Sequence, residues 1–364
     1  MAKRLIAAIA LLGSQFALAA CLSPRGAETI SPSGYAYNEA IAQTKSEQLL
    51  LNLVRLKYRD AIVFMDVDGV TTQYQFGASF SSETLFPFQR AANGNTLLIP
   101  GGSASERPTI VYKPLDSSQF AQDLLAPIAP ETIVLLANSG WSIQRLMTCC
   151  VERLGALSNA PSASGPTPDV IPNNSRFRET AVLLRELQRE ERLSVAHLPM
   201  ENGSGVQTVL QIHATDTAAC APLRVLLNAP DCEMRFALVA KGNDLDEPEV
   251  FAQTRTVLGA LYALSHAIEI PKEHQIQGLV TNSSNGAAET ADWATFNSGL
   301  FSVRSGVKPP ETSAVSVSFR GHWFWIEDND LETKTTFSLL LFLLALQSAA
   351  SDGITPLITL DAGG

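Results

Sequence analysis

Four consecutive polar residues near the C-terminal end of the chain have side chains that can bind a divalent cation or exchange protons. They are Glu327, Asp328, Asn329 and Asp330. The carboxylates of Asp328 and Asp330 could hold a metal or act as general acid and base, as a metal-assisted hydrolase would use them. Asp and Asn also cap helices, and negative charge stabilises a helix N-terminus by about 0.3–1 kcal/mol. We expect helix capping, since a calcium-binding loop needs more oxygen ligands.

An aromatic run precedes this acidic cluster. In a strand, Trp323 and Trp325 share one face and Phe324 lies on the other. The two indoles could form an exposed platform for a small molecule or a glycan. A strand that is buried on both faces is the simpler interpretation, because both faces are aromatic.

Cysteine spacing favours one disulfide. Cys220 and Cys232 bracket a short stretch, and closing a loop of that size is worth about 3 kcal/mol. Cys149 and Cys150 are adjacent in a predicted helix, where successive side chains point about 100° apart, so a bond between them would distort the backbone. Cys150 fits the apolar face of that helix as a buried thiol, whereas Cys149 has no assigned role. No Cys-x2-Cys pattern predicts a metal site.

The histidines are scattered and have no zinc-site spacing. We predict that each is structural. They are His197, His213, His266, His274 and His322. The sequence therefore identifies no catalytic residue, and it leaves enzymatic activity undecided, with the balance against it.

The composition excludes several classes of protein. The chain has 364 residues, of which 46% are hydrophobic and 17% charged, with a formal net charge of -10. This apolar content is enough to bury a core, so the chain is not intrinsically disordered. A sequence-independent nucleic-acid binder needs clustered Lys and Arg, so we predict no nucleic-acid partner.

Apolar periodicity predicts an α/β or α+β fold, in which several amphipathic helices pack on a mixed sheet of unknown topology. The pattern predicts helices over Ser142–Leu154 and 249–268 and a strand over Ala314–Ile326. The Gly- and Asn-rich range from Phe86 to Glu106 is predicted to be a loop.

Proline and small polar residues suggest where the chain divides. The predicted ranges are a leader at 1–20, a tether at 21–42, an N-terminal α/β region at 43–158, a Pro/Ser-rich linker or loop at 159–175 and a C-terminal α/β region at 176–364.

The N-terminus resembles that of bacterial lipoproteins. Two basic residues precede an apolar run from Leu5 to Ala17, and the tetrapeptide Leu-Ala-Ala-Cys then ends at Cys21. This tetrapeptide is similar to a lipobox, which implies cleavage before Cys21 and acylation of its thiol and new amino group. The covalent lipid is then the membrane anchor, and no other cofactor is expected. Leu22, in place of Asp, implies sorting to the outer membrane.

Three further stretches resemble a group of Gram-negative outer-membrane lipoproteins without an established activity. They are Glu47–Asp60, Asn138–Ile143 and Trp325–Ser338. The resemblance implies a location in the cell envelope and transfers no functional residue. The group favours Asp and Arg where this chain has Glu327 and Asn329, which weakens the case for a metal site.

These observations lead to one function and two alternatives. We expect a lipid-anchored, periplasm-facing lipoprotein of the outer membrane that serves as a non-enzymatic assembly, scaffold or accessory subunit with an envelope protein partner. The alternatives are a periplasmic metal-assisted hydrolase that uses Asp328 and Asp330, and a small-molecule or glycan-binding module that uses Trp323 and Trp325.

Overall fold

The computed structural model describes residues 26–84, 96–115, 117–166, 173–199, 206–239, 251–280, 296–297 and 299–351. The chain divides into two units. One is formed by Met1–Lys45 and Asp66–Lys113, and the other by Ser46–Met65 and Pro114–Gly364. The first unit contains a two-stranded sheet of β1 (Met65–Thr84) and β2 (Thr96–Pro114).

Most helices belong to the second unit. The helices are α1 (Gly26–Lys57), α2 (Ser118–Leu125), α3 (Pro130–Asn138), α4 (Ile143–Cys150), α5 (Ser175–Arg189), α6 (Cys220–Leu227), α7 (Val257–Ser265), α8 (Lys272–Ile276) and α9 (Leu331–Ser351), with a 3₁₀ turn at Pro161–Ser164. Three of these helix starts have side-chain caps: the Ser117 hydroxyl accepts the N–H of Phe120, the Thr256 hydroxyl accepts that of Gly259, and Oδ1 of Asp330 accepts that of Thr333. Each cap satisfies a donor that the first turn leaves unpaired.

A mixed six-stranded sheet forms the centre of the second unit. Its strands are β3 (Val151–Leu154), β4 (Leu157–Ser158), β5 (Leu193–Pro199), β6 (Val206–His213), β7 (Glu233–Val239) and β8 (Phe251–Thr254), in the order β4-β3-β8-β7-β6-β5. Only the β7–β8 pairing is parallel among these described strands. Helices α3 and α5 contact β5 and β6. The predicted mixed sheet covered by helices is confirmed, and the fold is α+β.

A second sheet has three antiparallel strands, β9 (Arg304–Gly306), β10 (Val315–Phe319) and β11 (His322–Ile326), in the order β10-β11-β9. Its inner face carries Val315, Val317, Phe324 and Ile326, all of them buried. The same core includes Leu339 and Leu340 of α9, so this sheet and the last helix share one apolar interior.

Two predicted helices are each partly strand. The helix predicted over Ser142–Leu154 ends at Cys150, and the chain continues as β3. The range 249–268 contains β8 and then α7, and Thr256 caps the helix between them. Residues buried on every side carry apolar side chains with no clear period, so helix and buried strand look alike in sequence.

Two further predictions missed strand pairing. The strand predicted over Ala314–Ile326 is a hairpin that turns at Arg320 and Gly321, with φ of 49° and 80°. Positive φ at both central residues is the geometry of a tight type I′ turn, for which glycine is suited. The loop predicted from Phe86 to Glu106 is partly strand, since β2 begins at Thr96. Pairing through backbone hydrogen bonds does not require an apolar sequence.

The predicted tether and linker also contain ordered structure. Helix α1 begins at Gly26, inside the range 21–42. The range 159–175 falls within the second unit, and the six-stranded sheet takes strands from both sides of it. Asn159 and Asn174, near the two ends of this range, are buried and hydrogen-bonded to each other at 3.2 Å.

Candidate functional site

The outer face of the three-stranded sheet carries both tryptophans of β11. Residues paired directly across antiparallel strands point to the same face. Trp323 lies between Ser318 and Gly306, and Trp325 lies between Ser316 and Arg304. We call these six residues the tryptophan face: Arg304, Gly306, Ser316, Ser318, Trp323 and Trp325. Phe324 is fully buried on the opposite side, whereas Trp323 and Trp325 are only partly buried. The expectation that both faces of this strand are buried is therefore wrong for the outer face.

The indole of Trp325 is fixed in place. Its Nε1 donates a hydrogen bond of 3.0 Å to Oε1 of Glu327. A Cβ atom at position 306 would lie 3.1 Å from Cη2 of this ring, so the indole lies close against Gly306. The missing side chain at Gly306 gives the ring room to rest on β9. Both constraints hold the ring in one orientation before any ligand arrives, which reduces the entropic cost of binding.

The neighbours of the two indoles are small or polar. Ser316 and Ser318 have short side chains that leave the adjacent rings partly exposed, and the side chain of Arg304 is exposed. Serine hydroxyls both donate and accept hydrogen bonds, and arginine donates several. The tryptophan face therefore combines aromatic surface with hydrogen-bonding groups, as the binding sites of small ligands do.

The acidic cluster is used for capping. Oδ1 of Asp330 accepts the N–H of Thr333 at 3.0 Å, and Oδ2 accepts the Thr333 hydroxyl at 2.6 Å. Asp328 binds the ammonium group of Lys334 at 2.7 Å. Glu327 holds Trp325. The structure therefore brings Asp328 and Asp330 to the start of α9, each in contact with residues of that helix.

The adjacent thiols are both buried, as the sequence predicted for Cys150. Cys149 and Cys150 are free cysteines in the last turn of α4. A hydrogen bond from Cys150 lowers the pKa of Cys149, and the nearby guanidinium groups of Arg255 and Arg145 act in the same direction. The same hydrogen bond and burial raise the pKa of Cys150 well above its usual value. Neither sulfur reaches the surface.

The other two cysteines lie as a disulfide requires. The sulfur atoms of Cys220 and Cys232 are within bonding distance, and their Cα atoms are 5.3 Å apart. This separation is typical of disulfides. The bond joins the first residue of α6 to the residue before β7. Formation of this disulfide in the native protein stays a prediction.

Sequence reasoning missed a cluster of ring side chains at the tip of the β10–β11 hairpin. The Tyr58 hydroxyl and Nδ1 of His274 are 2.6 Å apart, and both residues are buried. The ring of His274 is 4.5 Å, centre to centre, from that of His322. Residues so distant in sequence give no spacing signal, because the contact arises only when α1, α8 and β11 pack together.

A buried arginine was missed for the same reason. Arg255 is fully buried, and its guanidinium donates to the backbone carbonyl of Asn159. The charge of buried Glu152 opposes the effect of burial, which lowers the pKa of Arg255. The group links β3, the 3₁₀ turn and the start of α7, which is a structural role.

The predicted lipidation site, Cys21, and the leader at 1–20 lie outside the described residues. Among the helices that the structure describes, none is both long and apolar enough to cross a membrane. Within the same residues, no group of three or more His, Cys, Asp or Glu side chains could hold a metal ion.

Comparison with known proteins identifies no relative. No protein-family profile, curated protein or solved structure matches the chain. The resemblance to Gram-negative lipoproteins therefore stays a prediction from the sequence.

Proposed function

We propose that this protein is a lipid-anchored, non-enzymatic accessory protein of the Gram-negative outer membrane that faces the periplasm and binds a glycan on its tryptophan face. The observation that carries the proposal is the pair of partly exposed indoles on β11, one of which is fixed by Glu327 and Gly306.

The aromatic geometry favours a sugar polymer as the ligand. Trp323 and Trp325 are two residues apart on one strand, so their Cα atoms are about 7 Å apart along it. Indole rings offer flat apolar surfaces that pack against the C–H faces of sugar rings. Ser316, Ser318 and Arg304 can bond the hydroxyl groups at the ring edges. A straight strand suits a linear glycan that places successive sugar rings on successive indoles.

The role assigned to the acidic residues supports a non-enzymatic protein. A general acid or base must be free to reach substrate. Both carboxylate oxygens of Asp330 accept hydrogen bonds from Thr333, and Asp328 is paired with Lys334. The two carboxylates that a hydrolase would use are thus engaged in starting α9.

Anchoring is supported by the sequence. The apolar run before Cys21 is too short to span a bilayer, for which about 20 residues are needed. Acyl chains on Cys21 would supply about 0.8 kcal/mol for each buried methylene group. Metabolic labelling with a radioactive fatty acid tests this step: we expect label on the wild-type chain and none on Cys21→Ala. Labelled Cys21→Ala protein would exclude this anchor.

Glycan binding is tested by sedimentation of the mature chain with purified peptidoglycan sacculi. We expect Trp323→Ala and Trp325→Ala each to weaken binding about tenfold, the effect of losing a central aromatic contact. Trp141→Ala is the matched control, since Trp141 is not one of the residues of the tryptophan face and packs against Phe342 of α9. Equal binding by all three variants, or no binding by the wild type, would contradict the proposal.

An envelope protein partner is the second candidate, and α9 provides the observation that favours it. Leu331, Phe342 and Leu346 have 69%, 55% and 43% of their surface exposed. Large apolar side chains exposed together often mark protein contacts. Crosslinking in native envelopes tests this role: recovery of a second protein that is lost in Phe342→Glu supports it, and recovery of only the monomer excludes it.

A further inference from the structure

The hairpin that carries the tryptophan face is fastened at its tip by ionisable rings. Tyr58 follows the last residue of α1, His274 lies on α8, and His322 begins β11 next to Trp323. The Tyr58 ring also packs edge-on against Phe319 and Phe324, with centroid distances of 5.2 and 6.2 Å. One side of the hairpin tip therefore rests on Tyr58 and His274.

The protonation state of this contact follows from its surroundings. Burial raises the pKa of Tyr58 to about 12, so its hydroxyl keeps the proton at neutral pH. A neutral imidazole that carries its proton on Nε2 accepts the hydrogen bond of this hydroxyl at Nδ1. Burial and the nearby side chains of His322 and Arg320 lower the pKa of His274. The neutral imidazole of His274 is thus the form that accepts the Tyr58 hydrogen bond.

Among the described residues, the charged groups near the pair are Arg320, Asp60 and Glu273. The guanidinium of Arg320 lies 5.3 Å from the centre of the Tyr58 ring and binds Asp60 at 3.0 Å. Oε2 of Glu273 lies 3.8 Å from Nε2 of His322. Among the described residues, Nδ1 of His322 is buried with no hydrogen-bond partner.

We propose that the contact of Tyr58, His274 and His322 is a proton-operated latch, which holds the tip of the β10–β11 hairpin against α8 and the end of α1 at neutral pH and releases it on acidification. A proton on His274 takes away the acceptor of the Tyr58 hydroxyl. It also places a positive charge against the His322 ring and near the guanidinium of Arg320, which is already paired with Asp60. Separation of the rings lets water solvate the new charge. The latch does not depend on what the tryptophan face binds.

Hydrogen exchange of the mature chain tests the latch directly. Backbone protection of 315–326 is measured at pH 7.5 and 5.0 and corrected for the intrinsic pH dependence of exchange. We expect about a tenfold loss of protection of the hairpin at pH 5.0, because protonation of His274 favours the open hairpin. Strands β5–β7 are the internal reference for global unfolding. Because buried His266 also lowers global stability as the pH falls, they should lose some protection but stay better protected than the hairpin at both pH values. Equal protection of the hairpin and of β5–β7 at pH 5.0 would mean that the hairpin opens only by global unfolding and would overturn the latch.

Three variants decide whether the histidine pair is the cause. His274→Asn places an amide oxygen near the position of Nδ1, where it can still accept from Tyr58 but cannot be protonated, so the hairpin should stay protected at pH 5.0. Tyr58→Phe should weaken protection already at pH 7.5, and it serves if His274→Asn does not fold. His197→Asn, at an exposed histidine bonded to Thr208, should behave as the wild type. An unchanged response in His274→Asn would overturn the proposal.

Discussion

Asp330 holds Thr333 through both of its carboxylate oxygens, at 3.0 Å to the backbone N–H and 2.6 Å to the hydroxyl. The Thr333 hydroxyl in turn accepts the N–H of Ser302 at 3.0 Å. One side chain thus caps α9 and, through Thr333, fixes the segment that leads into β9. The residue that the sequence offered as a metal ligand is a helix cap with a second structural contact.

Replacement of Asp330 by alanine should therefore reduce stability. We expect the free energy of unfolding of Asp330→Ala to fall by about 1–2 kcal/mol, the upper part of the range for N-caps, because Thr333 also loses its partner. Urea denaturation measures the change. Asp330→Asn should lose less than half as much, since its amide oxygen can still accept the N–H. A loss in Asp330→Ala no larger than that in Asp328→Ala would contradict the capping role.

The capping role shows what the sequence could determine. Asp330 was predictable because a cap depends on residues within one turn, and both alternatives for Trp323 and Trp325 followed from alternation in one strand. Which alternative holds depends on β9 and β10, whose serines and Gly306 leave the indoles partly open. That information comes from residues outside the local pattern.

The class of fold was predictable for the same local reason, and the topology was not. Alternating helices and strands indicate an α/β or α+β chain, and the structure decides for α+β. Nothing local distinguishes the end of α4 from the start of β3, since residues on both sides of Cys150 are apolar and buried. The contact of Tyr58 with His274 joins residues 216 positions apart. Such a contact is a product of tertiary packing and leaves no trace in spacing.

The ion pair of Arg145 and Glu332 joins a buried side chain to an exposed one, and it leads to a second prediction. The Arg145 side chain is 6% exposed and that of Glu332 is 62% exposed. Without the Glu332 carboxylate, the partners of this buried cation among the described residues are the Thr336 hydroxyl and the backbone carbonyl of residue 332. Glu332→Ala should therefore cost about 2 kcal/mol, although an exposed glutamate ordinarily contributes less than about 1 kcal/mol.

A charge-free double variant tests the cause of that loss. In Arg145→Met with Glu332→Ala, the buried charge at position 145 is removed, and methionine fills part of the space. We expect thermal or urea unfolding to show at least half of the lost stability restored. Asp328→Ala is the matched control, because both Asp328 and its partner Lys334 are partly exposed and its removal leaves no buried cation behind. Additive losses in the double variant would show that packing, and not the buried charge, explains the effect.

We predict that the free energy of unfolding depends on whether Cys220 and Cys232 are oxidised or reduced. The two residues are separated by 12 positions, and a bond across such a loop is worth about 3 kcal/mol in the chain-entropy model. Reduction should lower the free energy of unfolding by about that amount, and the Cys220→Ser, Cys232→Ser variant should be insensitive to reductant.

Alkylation identifies the thiols involved. In the unreduced protein we expect iodoacetamide to modify Cys149 and Cys150 only after unfolding, because both are buried, and to leave Cys220 and Cys232 unmodified throughout. Mass spectrometry of the modified peptides measures this pattern. Modification of Cys220 or Cys232 without reductant would disprove the disulfide.

The buried side chain of His266 makes the free energy of unfolding depend on pH. Burial, together with the charge of Lys57, lowers the pKa of His266 to about 3 in the folded chain. In the unfolded chain this pKa is about 6.5. Between these values the unfolded state binds more protons, so the free energy of unfolding falls as the pH falls. His266 alone should cost about 2 kcal/mol between pH 6.5 and pH 4.5.

The contribution of His266 is separated from that of other groups by comparing slopes. Urea denaturation of the wild type and of His266→Gln is followed from pH 7 to pH 4.5, and the variant should show the shallower loss of stability, whatever its stability at pH 7. His213→Gln is the control, because His213 is exposed and pairs with Glu233 at the surface. Since burial also lowers the pKa of His274, part of the slope should persist in His266→Gln. Parallel pH curves for the wild type and His266→Gln would mean that His266 is protonated equally in both states, and the buried neutral imidazole would then be excluded.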